Sequence, residues 1–409
     1  MSPPASHLHR RTTLKTTLLL DLDGTLLRNE VNTFLPVYLQ AWGSFISPYF
    51  DPDKMVKALL AGTKAINDQP SADQTLRQRF DQVFYSAIDC DKEEFSPLED
   101  LFYRQEFPKL KSFTQPVPGA VEFVTEAFTR GYQIAIATAP FFPLTAIEQR
   151  LAWAGLPVNR YPFAFVPSIE TFHFGKPHTA FFAELLAHIG WPDGLVIMVG
   201  DDPEMDILPA DQFGLPTFQV KKPDSAWLDN LLMPHTRGSL AELLNWVERL
   251  QIEECLPDLT TPAALLATLR STPAFFNTYC RDMSLEDWIC HPQPGEWCLA
   301  EIICHLRDVD IEVNIPRLQK ILLEENPFLA GMDTDRWNIE RNYHDQDGPQ
   351  ALARFTSARL NLLAMLDSLH PEGWQRTARH SIFGRTDLGE LAGIIAGHDR
   401  LHIQQALQS

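Results

Sequence analysis

The stretch Thr16-Thr-Leu-Leu-Leu-Asp21-Leu-Asp23-Gly-Thr25 decides the fold of the N-terminal half. Its apolar run, residues 16–22, has the length of a parallel strand that is buried on both faces. Gly24 permits a turn that brings Asp21 and Asp23 together at the carboxyl end of this strand, the edge where open α/β sheets place their ligands. There, one carboxylate can act as a nucleophile toward phosphorus while the other protonates a leaving oxygen.

Two similar strands follow far downstream, and helical patterns lie between them. Strands alternating with helices indicate a Rossmann-like, doubly wound α/β fold with a parallel sheet. We assign this domain to residues 14–250, after a loose tail at residues 1–13. The further strands are expected at 133–138, 195–199 and 218–220, and the helices at 120–130, 143–154, 178–189 and 239–251.

An insertion of helical character, residues 28–116, separates the first strand from the second. Its aromatic stripe of Phe34, Tyr38, Trp42 and Phe45 has the spacing of one helix face. Because no β-type alternation is present, the segment is expected to form a helical subdomain.

Polar residues also follow the second and third strands. Thr138, with the backbone N–H of Ala139, could hold a phosphoryl oxygen, and Lys176 supplies a cation for the same oxygens. Asp201 and Asp206 lie on the turn after the third strand, where clustered carboxylates suit a hard cation such as Mg²⁺. Such a metal would let an anionic nucleophile approach an anionic phosphoryl group.

These four motifs, in this order, resemble those of the haloacid dehalogenase-like superfamily over about residues 14–250. The resemblance implies that Asp21 forms an aspartyl-phosphate, and that Asp23 is first a general acid and then the base that activates water. It further implies Mg²⁺ on the Asp21 carboxylate, the Asp23 main-chain carbonyl and Asp201. Asp206 would hold Lys176 or metal-bound water, and the insertion would be a C1-type cap over a small substrate.

The carboxylate of Asp23 discriminates within that superfamily. Dehalogenases lack an acid at this position, whereas phosphatases and phosphomutases keep one. Hydrolysis of a small phosphorylated metabolite is therefore the preferred interpretation, and a mutase remains the minority alternative. Nothing in the insertion names the substrate.

After residue 250 the sequence changes character. A proline-flanked acidic segment, 251–262, is expected to be a linker, and residues 263–409 show four long helical patterns with no convincing strand. Four helices of this length predict an all-α four-helix bundle. The helices are expected at 263–283, 299–325, 349–369 and 387–407.

Three histidines of this C-terminal part could hold a second metal. His398 and His402 share one helix face at i,i+4 spacing, and His305 lies in an apolar helical pattern where a buried ring needs a partner. The alternative is a metal-free bundle in which the three are ordinary core or surface histidines. Neutral imidazoles suit Zn²⁺, Ni²⁺ or Fe²⁺ equally.

The C-terminal part, about residues 262–409, resembles the DinB-like family. The resemblance rests on the segment Trp297-x-Leu-Ala-Glu-Ile-Ile-Cys-His305, on Arg359 and on His398-Asp-x-x-His402. This resemblance implies that His305, His398 and His402 bind a divalent ion. Relatives include thiol-dependent transferases and isomerases. One departure is Cys298, a weak helix N-cap where members carry Ser or Thr.

Composition limits the partners. The net charge of −19 argues against nucleic acid and anionic membrane surfaces. No apolar run is long enough to span a bilayer, and six scattered cysteines suggest reduced thiols in the cytoplasm. Three hypotheses remain open: a phosphomonoesterase in the first domain, a metal-dependent thiol transferase or isomerase in the bundle with the first domain accessory, and a bundle that serves for homodimerisation or binding.

Overall fold

The computed structural model describes residues 15–29, 31–68, 70–222, 226, 228–250, 255–334 and 336–408. The expected tail at 1–13 and the first part of the expected linker, 251–254, lie outside these residues. The strands are β1 (Thr17–Leu20), β2 (Leu27–Arg28), β3 (Gln115–Pro116), β4 (Gln133–Ile136), β5 (Val196–Gly200), β6 (Thr217–Val220), β7 (His235–Gly238), β8 (Phe328–Leu329), β9 (Thr377–His380) and β10 (Gly384–Asp387).

The helices are divided between an N-terminal half built around a sheet and a C-terminal half that is mostly helical. They are α1 (Val31–Ile46), α2 (Pro52–Asp68), α3 (Leu76–Ile88), α4 (Lys92–Gln105), α5 (Ala120–Thr129), α6 (Leu144–Trp153), α7 (Thr179–His188), α8 (Leu208–Phe213), α9 (Leu240–Val247), α10 (Pro262–Tyr279), α11 (Leu285–Ile289), α12 (Leu299–Val309), α13 (Ile315–Leu323), α14 (Trp337–Glu340), α15 (Gly348–Asp367) and α16 (Leu388–Ala406).

A five-stranded parallel sheet forms the centre of the N-terminal half, in the order β4-β1-β5-β6-β7. Successive residues of β1 enter different apolar clusters: Leu18 and Leu20 pack with α5 and α9, and Leu19 packs with α7 and α8. The predicted α/β fold is confirmed. Strand β7 was not predicted, because His235–Gly238 is a short, half-buried edge strand without an apolar run.

Helices α1 to α4 lie between β2 and β3, a two-stranded antiparallel ribbon that closes the insertion at both ends. The aromatic stripe on α1 is the core of this helical cap. Trp42 stacks on Phe102 of α4 with ring centroids 3.8 Å apart, and Tyr38 meets Phe102 edge to face. Aromatic pairs of this kind add to the free energy of burial.

The C-terminal half is a helical bundle of α10, α12, α15 and α16, as predicted, with two differences. A π-helical turn, Asp310–Asn314, interrupts the helix expected at 299–325 and separates α12 from α13. The expectation of no strand is wrong, since β8, β9 and β10 form a small sheet. These strands have two to four residues with mixed polarity, so no periodicity reveals them.

One apolar cluster runs through both halves of the chain. Helix α7 packs along α10 of the bundle, and Phe181 and Phe182 belong to the same buried cluster as Phe275 and Phe276. On α16, the Gln404 side chain donates hydrogen bonds to the carbonyl oxygens of Gly190 and Trp191, at 3.2 and 3.1 Å. The parallel-sheet domain and the bundle are therefore joined by a common core.

Among the described residues, no helix combines the length and the apolar character needed to cross a membrane.

Candidate active site and a histidine cluster

Parallel strands bring the predicted carboxylates and the lysine to one sheet edge. Asp21 follows β1, Asp201 follows β5, and Asp206 lies on the π-helical turn Pro203–Ile207. The Lys176 Nζ atom donates to Asp21 Oδ1 at 2.7 Å and to Asp206 Oδ1 at 2.5 Å. All four side chains are buried. Lysine 176 thus bridges the first and the last of the motifs predicted from the sequence.

Burial dominates the titration of this cluster. It raises the pKa of Asp21 to about 7, with the negative charge of Asp206 adding to the effect and Lys176 opposing it. Burial, together with the charge of Asp21, raises the pKa of Asp201 to about 6. Burial by itself disfavours the charged lysine, yet Asp206 and Asp21 hold the pKa of Lys176 above its ordinary value.

The donor set fits a divalent cation. Oxygens of Asp21, Asp201 and Asp206 lie within 4.8 Å of one another, and carboxylates are the ligands that Mg²⁺ prefers. Two lysines face these three carboxylates: Lys176, and Lys222, which pairs with Asp201. The buried cluster therefore keeps an excess of negative charge that a cation would neutralise.

Gly24 is required by the close approach of the chain to this cluster. Its φ of +86° lies in the left-handed region that favours glycine. A Cβ at this position would collide with Lys222 Nζ and with the carboxylate of Asp201. Thr25, the next residue, donates from its hydroxyl to Asp201 Oδ1 at 3.2 Å.

Asp23 faces away from the lysine bridge and toward a cavity beneath the cap. Its Oδ1 accepts from Asn29 Nδ2 at 3.0 Å, and its Oδ2 pairs with Arg150 of α6. The Arg150 guanidinium is buried and lies 5.0 Å from the ring centroid of Phe142. Asp21 and Asp23 therefore have different partners, as two carboxylates with different roles require.

Thr138 and Ala139 lie beside these carboxylates, after β4. The Thr138 hydroxyl is buried and is without a hydrogen-bond partner in the described part of the chain. A buried hydroxyl of this kind is available to an oxygen atom of a ligand. Ala139 lines the same cavity as Asp23.

Sequence reasoning missed two cations in this site. Arg150 lies on α6, an ordinary amphipathic helix after β4. Lys222 follows β6, where the apolar pattern of the sheet ends. A single basic residue carries no spacing signal, so only the folded chain shows that Arg150 meets Asp23 and Lys222 meets Asp201.

The three predicted histidines of the bundle meet at one point. His398 Nε2 lies 3.0 Å from His305 Nε2 and 3.1 Å from His402 Nε2. Burial lowers the pKa of His305 to about 3 and that of His402 to about 4, and the neighbouring imidazoles add to both shifts. Burial lowers the pKa of His398 to about 4 as well.

This cluster fits a transition metal, since neutral imidazoles are its usual nitrogen ligands. Gln405 Oε1 lies 3.0 Å from His402 Nδ1, a contact that places the proton on Nδ1 and leaves the Nε2 lone pair facing the other two rings. Trp297 covers the cluster and stacks on His402 at 5.8 Å between ring centroids.

A buried ion network lies beside the histidines. The Arg359 guanidinium donates to Asp310 Oδ2 at 2.7 Å and pairs with Asp399, the residue that follows His398. Thr272 of α10 donates to the Asp399 carboxylate at 2.8 Å. Helices α10 and α15 and the π-helical turn are thereby held against the middle of α16, which carries His398.

Comparisons with known proteins agree with this division. Residues 15–214 match the haloacid dehalogenase-like hydrolase family, and residues 268–406 match the DinB superfamily. A relative from Oceanobacillus iheyensis, OB0782, carries the provisional name of a metal-dependent hydrolase. It is 25% identical over 137 residues, which are 33% of this chain and 77% of that protein.

Solved structures that resemble the chain include the following two. A HAD phosphatase from Thermococcus onnurineus is 20% identical, with a TM-score of 0.38, and the match covers 57% of this chain and 97% of that one. A 2-haloacid dehalogenase from Pseudomonas syringae pv. Tomato is 22% identical, with a TM-score of 0.41 and coverage of 58% and 99%. From the family matches, the chain joins a haloacid dehalogenase-like hydrolase, residues 15–214, to a member of the DinB superfamily, residues 268–406.

Proposed function

We propose that the N-terminal half is a Mg²⁺-dependent phosphomonoesterase that works through an aspartyl-phosphate on Asp21. The observation that carries this proposal is the pair of carboxylates with separate environments. Asp21 is fixed by Lys176 at the sheet edge, while Asp23, two residues later, faces the cavity beneath the cap. A dehalogenase has no use for a general acid at this position, because its first step expels a halide ion, which leaves without a proton.

In the first step an Asp21 oxygen attacks phosphorus, and the bond from phosphorus to the leaving oxygen breaks. Asp23 gives its proton to that oxygen, so the alcohol departs neutral. In the second step Asp23 takes a proton from water, whose oxygen attacks the phosphorus. The bond to Asp21 then breaks, inorganic phosphate leaves, and both carboxyl groups return to their starting states.

Other side chains hold the phosphoryl group. Lys176 would neutralise its oxygens, and the buried Thr138 hydroxyl would donate to one of them. Mg²⁺, which Asp21, Asp201 and the Asp23 main-chain carbonyl would hold, would offset the negative charge of the nucleophile and the phosphate. Asn29 and Arg150 keep Asp23 oriented toward the cavity.

The test is hydrolysis of p-nitrophenyl phosphate by the full chain with Mg²⁺. We expect Asp21→Asn to abolish turnover, and Asp23→Asn to accumulate a protein heavier by one phosphoryl group in intact-mass measurements. His398→Ala, which changes a residue of the other half, serves as the matched control and should retain turnover. Unchanged turnover in Asp21→Asn would rule out this function.

The convergence of three Nε2 atoms favours a second candidate function, a metal-dependent activity of the bundle. The open choices are hydrolysis, as in the name of the Oceanobacillus relative, transfer to a thiol, and isomerisation. We expect one equivalent of Zn²⁺, Ni²⁺ or Fe²⁺ in the purified chain and its loss in His398→Ala. If metal analysis finds none, homodimerisation or binding becomes the better account of the bundle.

A further inference from the structure

The cavity beneath the cap connects the reacting groups with an apolar interior. It has a volume of about 420 Å³, includes Asp23 and Ala139 in its lining, and extends between the cap and the sheet domain. Its walls are largely aromatic and aliphatic, with contributions from Tyr38, Trp42, Phe80, Phe84, Phe141 and Phe142. This volume lies within the range of binding sites for drug-sized molecules.

Most polar side chains that line this cavity already have partners within the protein. Tyr38 and Tyr103 share a hydrogen bond at 2.9 Å between their hydroxyls. Arg77 donates two hydrogen bonds to Glu99, at 2.8 and 2.7 Å. The Thr63 hydroxyl donates to the Leu59 carbonyl oxygen at 2.9 Å.

Two further polar groups complete the lining. Arg150 is paired with Asp23, and both residues line the cavity. Among the described residues, three buried nitrogens of the lining lack a hydrogen-bond partner, namely the indole N–H of Trp42 and the Nε atoms of Arg77 and Arg150. Arg77 Nε nevertheless forms an ion pair with Asp81. A leaving group in this cavity therefore meets apolar surface nearly everywhere and finds few hydrogen-bonding groups that are available.

We infer that the leaving group of the substrate is an apolar alkyl or aryl alcohol rather than a sugar or another polyol. Burying an alkyl or aryl group here removes apolar surface from water and stabilises the complex. A sugar would lose the hydrogen bonds of its hydroxyls to water and find paired side chains in their place. This inference rests on the proposed phosphomonoesterase function and names its substrate class.

Hexyl phosphate and glucose 6-phosphate form a matched pair of probes. Both are phosphate esters of a primary alcohol with six carbons, so the phosphoryl chemistry is similar and the hydroxyls differ. We expect kcat/KM of the full chain with Mg²⁺ to be higher for hexyl phosphate, on the order of 100-fold. Along the series from ethyl to octyl phosphate, kcat/KM should rise about threefold per methylene until the cavity is full.

A variant pair locates the alkyl chain. Leu39 lines the cavity, whereas Leu98 is a partly buried leucine of the same cap that does not line it. Leu39→Gln should flatten the rise of kcat/KM with chain length, and Leu98→Gln should leave that rise unchanged. Thermal unfolding of both variants checks that each remains folded.

The outcomes separate the inference from the function on which it rests. If no phosphomonoester is hydrolysed, the proposed function itself fails. If glucose 6-phosphate is hydrolysed as well as hexyl phosphate or better, the function stands and the apolar leaving group is overturned. Equal flattening in the Leu39 and Leu98 variants would likewise overturn it, because the chain would then lie elsewhere.

Discussion

His173 and Asn277 connect the loop that carries Lys176 to the first helix of the bundle. His173 Nε2 lies 3.1 Å from Asn277 Oδ1, and His173 Nδ1 lies 2.8 Å from Glu184 Oε1. Glu184 also accepts from the backbone N–H groups of His173 and Phe174. His173 is fully buried and three residues before Lys176. The bundle therefore contacts the loop that carries Lys176.

We expect Asn277→Leu to lower kcat for p-nitrophenyl phosphate about tenfold with little change in KM, because a small displacement of Lys176 weakens transition-state stabilisation. Steady-state kinetics with Mg²⁺ provide the measurement. Gln404→Leu is the matched control, since it removes another hydrogen bond between the halves, at Gly190 and Trp191. Equal losses of kcat in both variants would show a general effect of the interface and no special role for Asn277.

Lys222 should compete with a cation for Asp201. Its ammonium group pairs with this carboxylate, so Lys222→Met removes a positive charge beside the proposed Mg²⁺ site. We expect the Mg²⁺ concentration for half-maximal activity to fall about tenfold. The measurement is activity against Mg²⁺ concentration, with the exposed neighbour Lys221→Met as control. A rise in the required concentration would mean that Lys222 organises the site instead.

Removal of Arg359 should destabilise the bundle strongly. In Arg359→Met the carboxylates of Asp310 and Asp399 stay buried without their cation, which costs about 3–5 kcal/mol of the free energy of unfolding. Denaturant unfolding measures this loss, and Arg354→Met, at an exposed position of the same helix, should change little. Because Asp399 adjoins His398, metal content is expected to fall as well. A loss below 1 kcal/mol would contradict this account.

His188 should make the chain sensitive to acid. Its ring stacks on Phe165 at 4.3 Å and meets Phe275 of the bundle at 5.4 Å. Burial, with His173 as a smaller cause, lowers the pKa of His188 to about 3. Below pH 6.5 the His188 ring is protonated in the unfolded chain but stays neutral in the folded chain until the pH approaches 3. The contribution of His188 to stability is thus complete above pH 6.5 and is lost as the pH falls toward 3.

The measurement is the free energy of unfolding between pH 7 and 5. His188→Phe keeps an aromatic ring in the stack and removes the titration, so the decline with falling pH should be shallower by up to about 1.4 kcal/mol per pH unit. The exposed His370→Gln serves as control and should reproduce the decline of the parent chain. An identical slope in His188→Phe would show that the ring titrates normally in the fold.

The sequence pattern predicts the positions that depend on strand ends. Asp21, Thr138 and Asp201 each follow a short apolar run, and parallel pairing necessarily brings such positions to one edge. The i,i+4 spacing places His398 and His402 on one helix face. The assignment of His305 to the same metal site depended on the family resemblance. The site assignments themselves remain predictions until the variants above are measured.

Other features depend on contacts between segments far apart in the chain. The pairs Arg150–Asp23 and Lys222–Asp201 join residues that are far apart in the sequence, so no helix or strand periodicity predicts their contact. Strands β8 to β10 are too short and too polar to produce a period. The sequence of α7 does indicate its environment, because residues 180–187 are apolar except for Glu184, and all of them are buried in the structure. An apolar surface on every side indicates a helix covered by two layers.

The second layer over α7 is the bundle, and this has a consequence for how such a chain can evolve. A recombination event between the two halves would leave each product with the exposed aromatic surface that Phe181, Phe182, Phe275 and Phe276 now bury together. Contiguous exposed surface of this kind promotes aggregation. Once the common core had formed, the two ancestral units could no longer be exchanged freely, and selection acts on them as one inherited protein.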